Sequence, residues 1–211
     1  MKYKYLVIEG NIGAGKTTLA TRLARDTGAR LVLEQFSDNP FLARFYKEPE
    51  RYGFQLELSF LSERYQQIKT EMGHPDLFGQ PVISDYYLAK SFIFSKQNLK
   101  RDELKLFEKL FSIINLQVPK PDLYVYLHLP VDQLIENIKS RGRAYEQQIA
   151  PSYLKEIEEG YFGFLKTQTA LKILVIDTSQ IDFVHHGSHY TLLKKQILEG
   201  DYKPGMNMLN L

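Results

Sequence analysis

Cysteine is absent, so no disulfide braces this chain, which agrees with a reducing compartment. With 211 residues none is needed, because a chain of that length buries about 70% of its unfolded surface. Long apolar runs are missing as well. None approaches the roughly 18 residues that cross a bilayer, which excludes a spanning helix. Neither sign of charge dominates: 27 basic residues face 25 acidic ones, a net of +2. A protein that neutralises nucleic-acid phosphates would carry a basic surplus, so that class is set aside. Internal repeats and low-complexity stretches are also lacking. Hydrophobic residues at 44% and charged residues at 25% exclude disorder and collagen-like structure. The opening MKYKY leads straight into a strand-like segment and does not read as a leader. The expectation is a soluble, cytoplasmic protein with neither nucleic-acid nor membrane partners.

What is present is an alternation of short β-rich runs with longer helical patterns. The runs are 4–9 (KYLVIE), 30–34 (RLVLE), 81–85 (PVISD), 122–129 (DLYVYLHL) and 172–177 (KILVID). Each is apolar with little alternation, as strands buried on both faces of a parallel sheet should be. The pattern predicts a single α/β domain over 1–199 with a five-stranded parallel sheet and right-handed crossovers, followed by a polar tail at 200–211. Helices are expected over 15–28, 52–72, 102–117, 131–140, 151–168 and 189–198. In the second, Phe54, Leu58, Leu61, Tyr65, Ile68 and Met72 form an apolar stripe. In the third, apolar residues cover more than one face, which fits either a central core helix or one shared between the sheet and a dimer interface.

Gly10-Asn11-Ile12-Gly13-Ala14-Gly15-Lys16-Thr17 satisfies G-x-x-x-x-G-K-[ST], preceded by a strand and followed by a helix that opens on Thr17-Thr18. Glycines let successive amides curl inward around an anion, and the helix adds its positive end. Lys16 then reaches the β- and γ-phosphates and the Thr17 hydroxyl coordinates Mg²⁺. The chain is therefore expected to bind ATP. A signalling GTPase would need N-K-x-D, which is absent; Asp76-Leu77-Phe78-Gly79 fits D-x-x-G but precedes a strand instead of following one. A motor or transporter ATPase brings a larger chain and an acidic run at a strand end, where only Asp85 stands here. A small-molecule kinase is the remaining class.

Four groups of residues then resemble the deoxyribonucleoside kinases, more particularly the bacterial purine-acting ones. They are the loop with its Asn11-Ile12, Glu34 followed by Asn39-Pro40-Phe41-Leu42 and Phe45-Tyr46, the pair Phe54-Gln55, and Arg141-Gly142-Arg143-Ala144-Tyr145-Glu146. Thymidylate kinases usually carry an acidic residue where Ile12 stands. The resemblance implies a P-loop kinase with a helical lid, working as a homodimer on a small-molecule deoxynucleoside. It implies that Glu34 is the general base, a role that needs a carboxylate within reach of a sugar 5′-hydroxyl. By the same resemblance Gln55 reads the base, Phe94 stacks on it, and Tyr46 with Glu146 holds the 3′-hydroxyl. Arg141 and Arg143, with Lys139 nearby, supply lid cations suited to a transferring phosphoryl group.

The match breaks at the end of the third strand. The family carries Glu-Arg-Ser or Asp-Arg-Ser there; this chain has Ser84-Asp85-Tyr86. Asp85 still suits Mg²⁺ and the substrate side of the site, but the arginine is gone, leaving Arg143 and Lys90 as candidates for its work. Two rivals follow. A nucleoside monophosphate kinase would place cations such as Arg44 and Arg51 near the acceptor, and a non-catalytic nucleotide-binding module would have lost chemistry with the arginine. His185, His186 and His189 read as a polar loop before the final helix, because no ligand geometry accompanies them.

Overall fold

Side chains along the central strands point alternately into two apolar clusters, and this alternation builds a three-layer sandwich. The computed structural model describes residues 1–35, 39–72 and 79–211, with Met72 in backbone only. Asp76, Leu77 and Phe78 of the D-x-x-G match lie outside the described residues. Strand β1 (Tyr5–Gly10) leads into α1 (Lys16–Thr27), β2 (Arg30–Val32), α2 (Leu42–Lys47), α3 (Pro49–Met72) and β3 (Val82–Ser84). There follow α4 (Ala89–Asn98), α5 (Arg101–Asn115), β4 (Leu123–His128), α6 (Val131–Arg141), α7 (Pro151–Thr167), β5 (Lys172–Asp177), α8 (Gly187–Glu199) and β6 (Gly205–Asn210). Leu6, Ile8, Val125, Leu127, Leu174 and Ile176 face α1, α6 and α8. Tyr5, Val7, Tyr124, Tyr126, Ile173 and Val175 face α3, α4, α5 and α7.

All strands run parallel, in the order β2-β3-β1-β4-β5-β6. Among the described residues the sheet therefore has six strands where five were expected. The extra one is the segment read as a tail: Gly205–Asn210 pairs along β5 from Lys172↔Gly205 to Asp177↔Asn210. As an edge strand it buries one side only, so Met206 and Met208 stand exposed and no continuous apolar run marks it. Chain order reverses beside β1, and ligands of open α/β sheets bind at that point, beyond the carboxyl ends of the strands. Among the described residues no helix is long and apolar enough to cross a membrane.

Helix α4 was not foreseen. Its buried face includes Lys90, Ser91 and Ser95 alongside Ala89 and Ile93, so polarity does not separate inside from outside. The α3 stripe is rotated from the expected one: Leu58 is exposed, whereas Leu56, Glu57, Phe60, Leu61, Arg64 and Ile68 are buried. His185 and His186 precede α8, whereas His189, expected in the loop, lies in the first turn of that helix. The Asp182 amide donates to His189 Nδ1 at 3.0 Å, and His185 Nδ1 lies 2.9 Å from the Asp182 carboxylate.

Candidate active site

Residues 10–15 curl between β1 and α1 in a conformation open to glycine. Gly13 has φ +87°, and a Cβ there would stand 2.8 Å from the Leu134 carbonyl oxygen. Gly15 caps α1 in the left-handed region, with no side chain taking the first helical amides and no acid in the first turn. Those amides are left for an anion. Asn11 pins the loop, donating from Nδ2 to the Leu154 carbonyl at 2.7 Å and accepting from the Ile12 amide at 2.8 Å. Lys16 Nζ donates to the Asn11 carbonyl at 2.8 Å. Burial and the nearby Lys90 lower the Lys16 ammonium to about 8 against the pull of Glu9, Glu34 and Asp85, a cation that polyphosphate would recharge. Gly13→Ala is expected to cost about 1–3 kcal/mol of backbone strain. Thermal denaturation with and without ATP should show a lower melting point and a smaller shift on adding nucleotide.

The carboxyl ends of β2 and β3 bring two acids to this loop. Asp85 accepts from the Thr17 hydroxyl at 2.5 Å through Oδ2 and from the Glu34 amide at 2.8 Å through Oδ1. It thus ties the phosphate loop to the residue expected to be the base. Glu34 is held on both oxygens. Arg64 donates to Oε1 from Nε at 2.8 Å and Nη2 at 2.6 Å, and Lys90 Nζ donates to Oε2 at 2.5 Å. Burial alone would raise this carboxyl, but Lys90 and Arg64 outweigh it and hold it at about 2. Arg64 is itself fixed by Ser91 Oγ at 2.6 Å and by the Phe60 ring at 4.7 Å.

These groups border one shared cleft. Of the expected site residues, Ile12, Gly13, Lys16, Thr17, Glu34, Tyr46, Asp85, Phe94, Arg141, Arg143 and Glu146 line it. Arg141 and Arg143 both reach Glu146, the second at 3.3 Å, so the acid expected at the sugar also orients the lid cations. Tyr46 stacks on Tyr145 at 5.9 Å, and its phenol is pushed up by burial and by Glu146. Phe94 meets Tyr161 edge to face at 6.5 Å.

Gln55 does not join them. It is exposed on α3 and lies outside the cleft lining, because the buried face of the helix is turned away from it. Two residues on, Glu57 is buried in the cleft instead. Arg64 and Glu57 line the cleft and were not singled out from the sequence. The cations proposed for a second acceptor phosphate, Arg44 and Arg51, are exposed and flank Tyr52. Where the family arginine is missing, Arg64 and Lys90 pair with Glu34, and Arg143 pairs with Glu146.

A glycine-rich anion nest facing a clamped carboxylate across one cleft defines a P-loop phosphotransferase with an alcohol acceptor. The chain is 35% identical over 199 residues to a deoxyguanosine kinase of Bacillus subtilis, covering 92% of this chain and 96% of that protein. To a deoxyadenosine/deoxycytidine kinase of the same organism it is 28% identical over 188 residues, 87% of each chain. A deoxyadenosine kinase structure from M. mycoides with bound dATP superposes with a TM-score of 0.77 at 23% identity, over 91% of this chain and 98% of that one. The deoxynucleoside kinase profile matches residues 6–199, and the chain belongs to that family.

Proposed function

We propose that this kinase transfers the γ-phosphoryl group of ATP to the 5′-hydroxyl of a purine deoxynucleoside. The observation that carries the reading is Glu34, fixed by Arg64 and Lys90 beside the phosphate loop. In this reading the triphosphate lies over residues 10–17, and the sugar lies between Glu34 and the pair Tyr46 and Glu146. The base runs toward Phe94. The 5′-hydroxyl donates to Glu34 and so points in line at the γ-phosphorus. As its oxygen bonds to phosphorus and the bond to ADP breaks, the hydroxyl proton passes to the carboxylate. Lys16, Arg141 and Arg143 offset the charge spread over the transferring oxygens.

Thr17 and Asp85 suit Mg²⁺, since a hydroxyl and a carboxylate meet there beside the anion nest. When bound, the ion neutralises phosphate charge and orients the chain of phosphates. The purine choice is supported by relatives named deoxyguanosine kinase and deoxyadenosine kinase. Mass detection of monophosphate from each of the four deoxynucleosides, with ATP and Mg²⁺, should give product from the two purines. Absence of product from all four would overturn the reading.

The homodimer rests on α5. Leu106, Ile113 and Leu116 stand 50%, 61% and 87% exposed at spacings of seven and three, with Leu110 between them. Such a row on a helix is suited to a second copy of itself. Ile113→Glu should convert the dimer to monomer in light scattering coupled to size exclusion, with the melting point little changed.

A further inference from the structure

Glu57 lines the cleft and is 1% exposed. Its Oε1 accepts from Asn98 Nδ2 at 2.7 Å, and Asn98 is held in turn by the Tyr153 hydroxyl at 3.1 Å. Its Oε2 is buried and has no hydrogen-bond partner. A buried carboxylate oxygen without a donor is costly, and a ligand that brings one completes it. The surroundings are mixed. Arg64 on its own helix and Lys90 on α4 draw it toward the charged form, Glu34 beyond β2 opposes them, and the phenols of Tyr46 on α2 and Tyr153 on α7 stand near. Burial is the largest influence and pushes the group up to about 7.

We infer that Glu57 reads the nucleobase and that its protonation decides between the purines. The inference rests on the purine-nucleoside reading of this cleft. As a carboxylate, Glu57 is acceptor-only, and its oxygens match the adjacent N1–H and N2–H₂ donors of guanine. As a carboxylic acid it offers one O–H and one acceptor, which match N1 and N6–H₂ of adenine. Guanine presented to the acid form leaves donor against donor, and adenine presented to the carboxylate leaves acceptor against acceptor. Either mismatch buries unpaired polar groups, the condition under which a site rejects a near-isostere most strongly.

The test is the ratio of kcat/KM for deoxyguanosine to that for deoxyadenosine, measured from one pH unit below to one above Glu57's value of about 7. The ratio should rise with pH, by about tenfold per unit in the limit where each purine takes one form only. Groups that act on both substrates alike, such as Lys16 and the ATP phosphates, cancel in it. Glu57→Gln replaces both forms by a neutral amide and should make the ratio independent of pH and shifted toward deoxyadenosine. Deoxyinosine, which lacks the 2-amino group, should trail deoxyguanosine at high pH in the wild type and less so in the variant. A ratio that stays flat with pH in the wild type overturns the inference, even if the variant does not fold, and leaves the kinase reading standing. No transfer to any deoxynucleoside would overturn both.

Discussion

Replacing Glu34 by Gln lowers kcat by about 10²–10⁴-fold while the dissociation constant for ATP stays within a few-fold of wild type. The amide keeps the shape of the side chain and one acceptor oxygen, so the sugar is still received. It cannot take the proton, and the fixed pairing with Arg64 and Lys90 loses its charge. The ATP site is spared because the nest is made by backbone and by Lys16, which Glu34 influences only at a distance. With its carboxyl held at about 2, Glu34 is a weak proton acceptor and a firm hydrogen-bond acceptor. In the proposed reaction proton transfer then falls late, after the oxygen–phosphorus bond has begun to form, in keeping with the loose transition states of phosphoryl transfer. Pre-steady-state quench with ATP and deoxyguanosine separates this loss from product release. A variant with wild-type turnover would mean that Glu34 only supports the loop.

How much of this was readable beforehand depends on whether the signal is local. The phosphate loop is local: one strand, one turn and one helix contain every glycine and the Lys16-Thr17 pair, so spacing alone identified it. Glu34 was placed by its neighbours in the sequence. Arg64 was not, because a cation on a long helix normally reads as solvated surface. Its burial exists only once Glu34 and Ser91 arrive from other elements. A trace was present even so. Glu57, Phe60, Arg64 and Ile68 share one helical face, and two charged residues within an apolar stripe mark a buried polar site. The expected stripe was laid through Leu58, which turned that face outward, while base reading was given to Gln55 on the family resemblance alone. Strand β6 left no such trace, since an edge strand of alternating exposure has the composition of a tail.

The same buried pairing predicts the largest effect on stability. Arg64→Met keeps the volume of the side chain but strips Glu34 of two donors and removes the main attraction felt by Glu57. Breaking one partner of a buried ion pair costs about 3–5 kcal/mol, because the charge left behind stays desolvated. Urea denaturation at neutral pH should show that loss. The pH dependence has a definite sign. In the wild type the Glu34 carboxyl is depressed from 4.5 to about 2, so its contribution to stability is complete above the unfolded value, declines as pH falls below it and is gone once pH has fallen through about 2. In the variant Lys90 alone opposes burial, the folded value rises, and less of that contribution remains. An acid limb in kcat that lay below the working range then moves up into it, since protonated Glu34 no longer accepts from the hydroxyl. Arg64→Lys separates charge from geometry: it restores part of the stability, but not the two-pronged grip that fixes Oε1, so kcat recovers less than the melting point does. If the acid limb of Arg64→Met coincides with that of the wild type, Glu34 is held by Lys90 alone and the arginine serves only to fill the core.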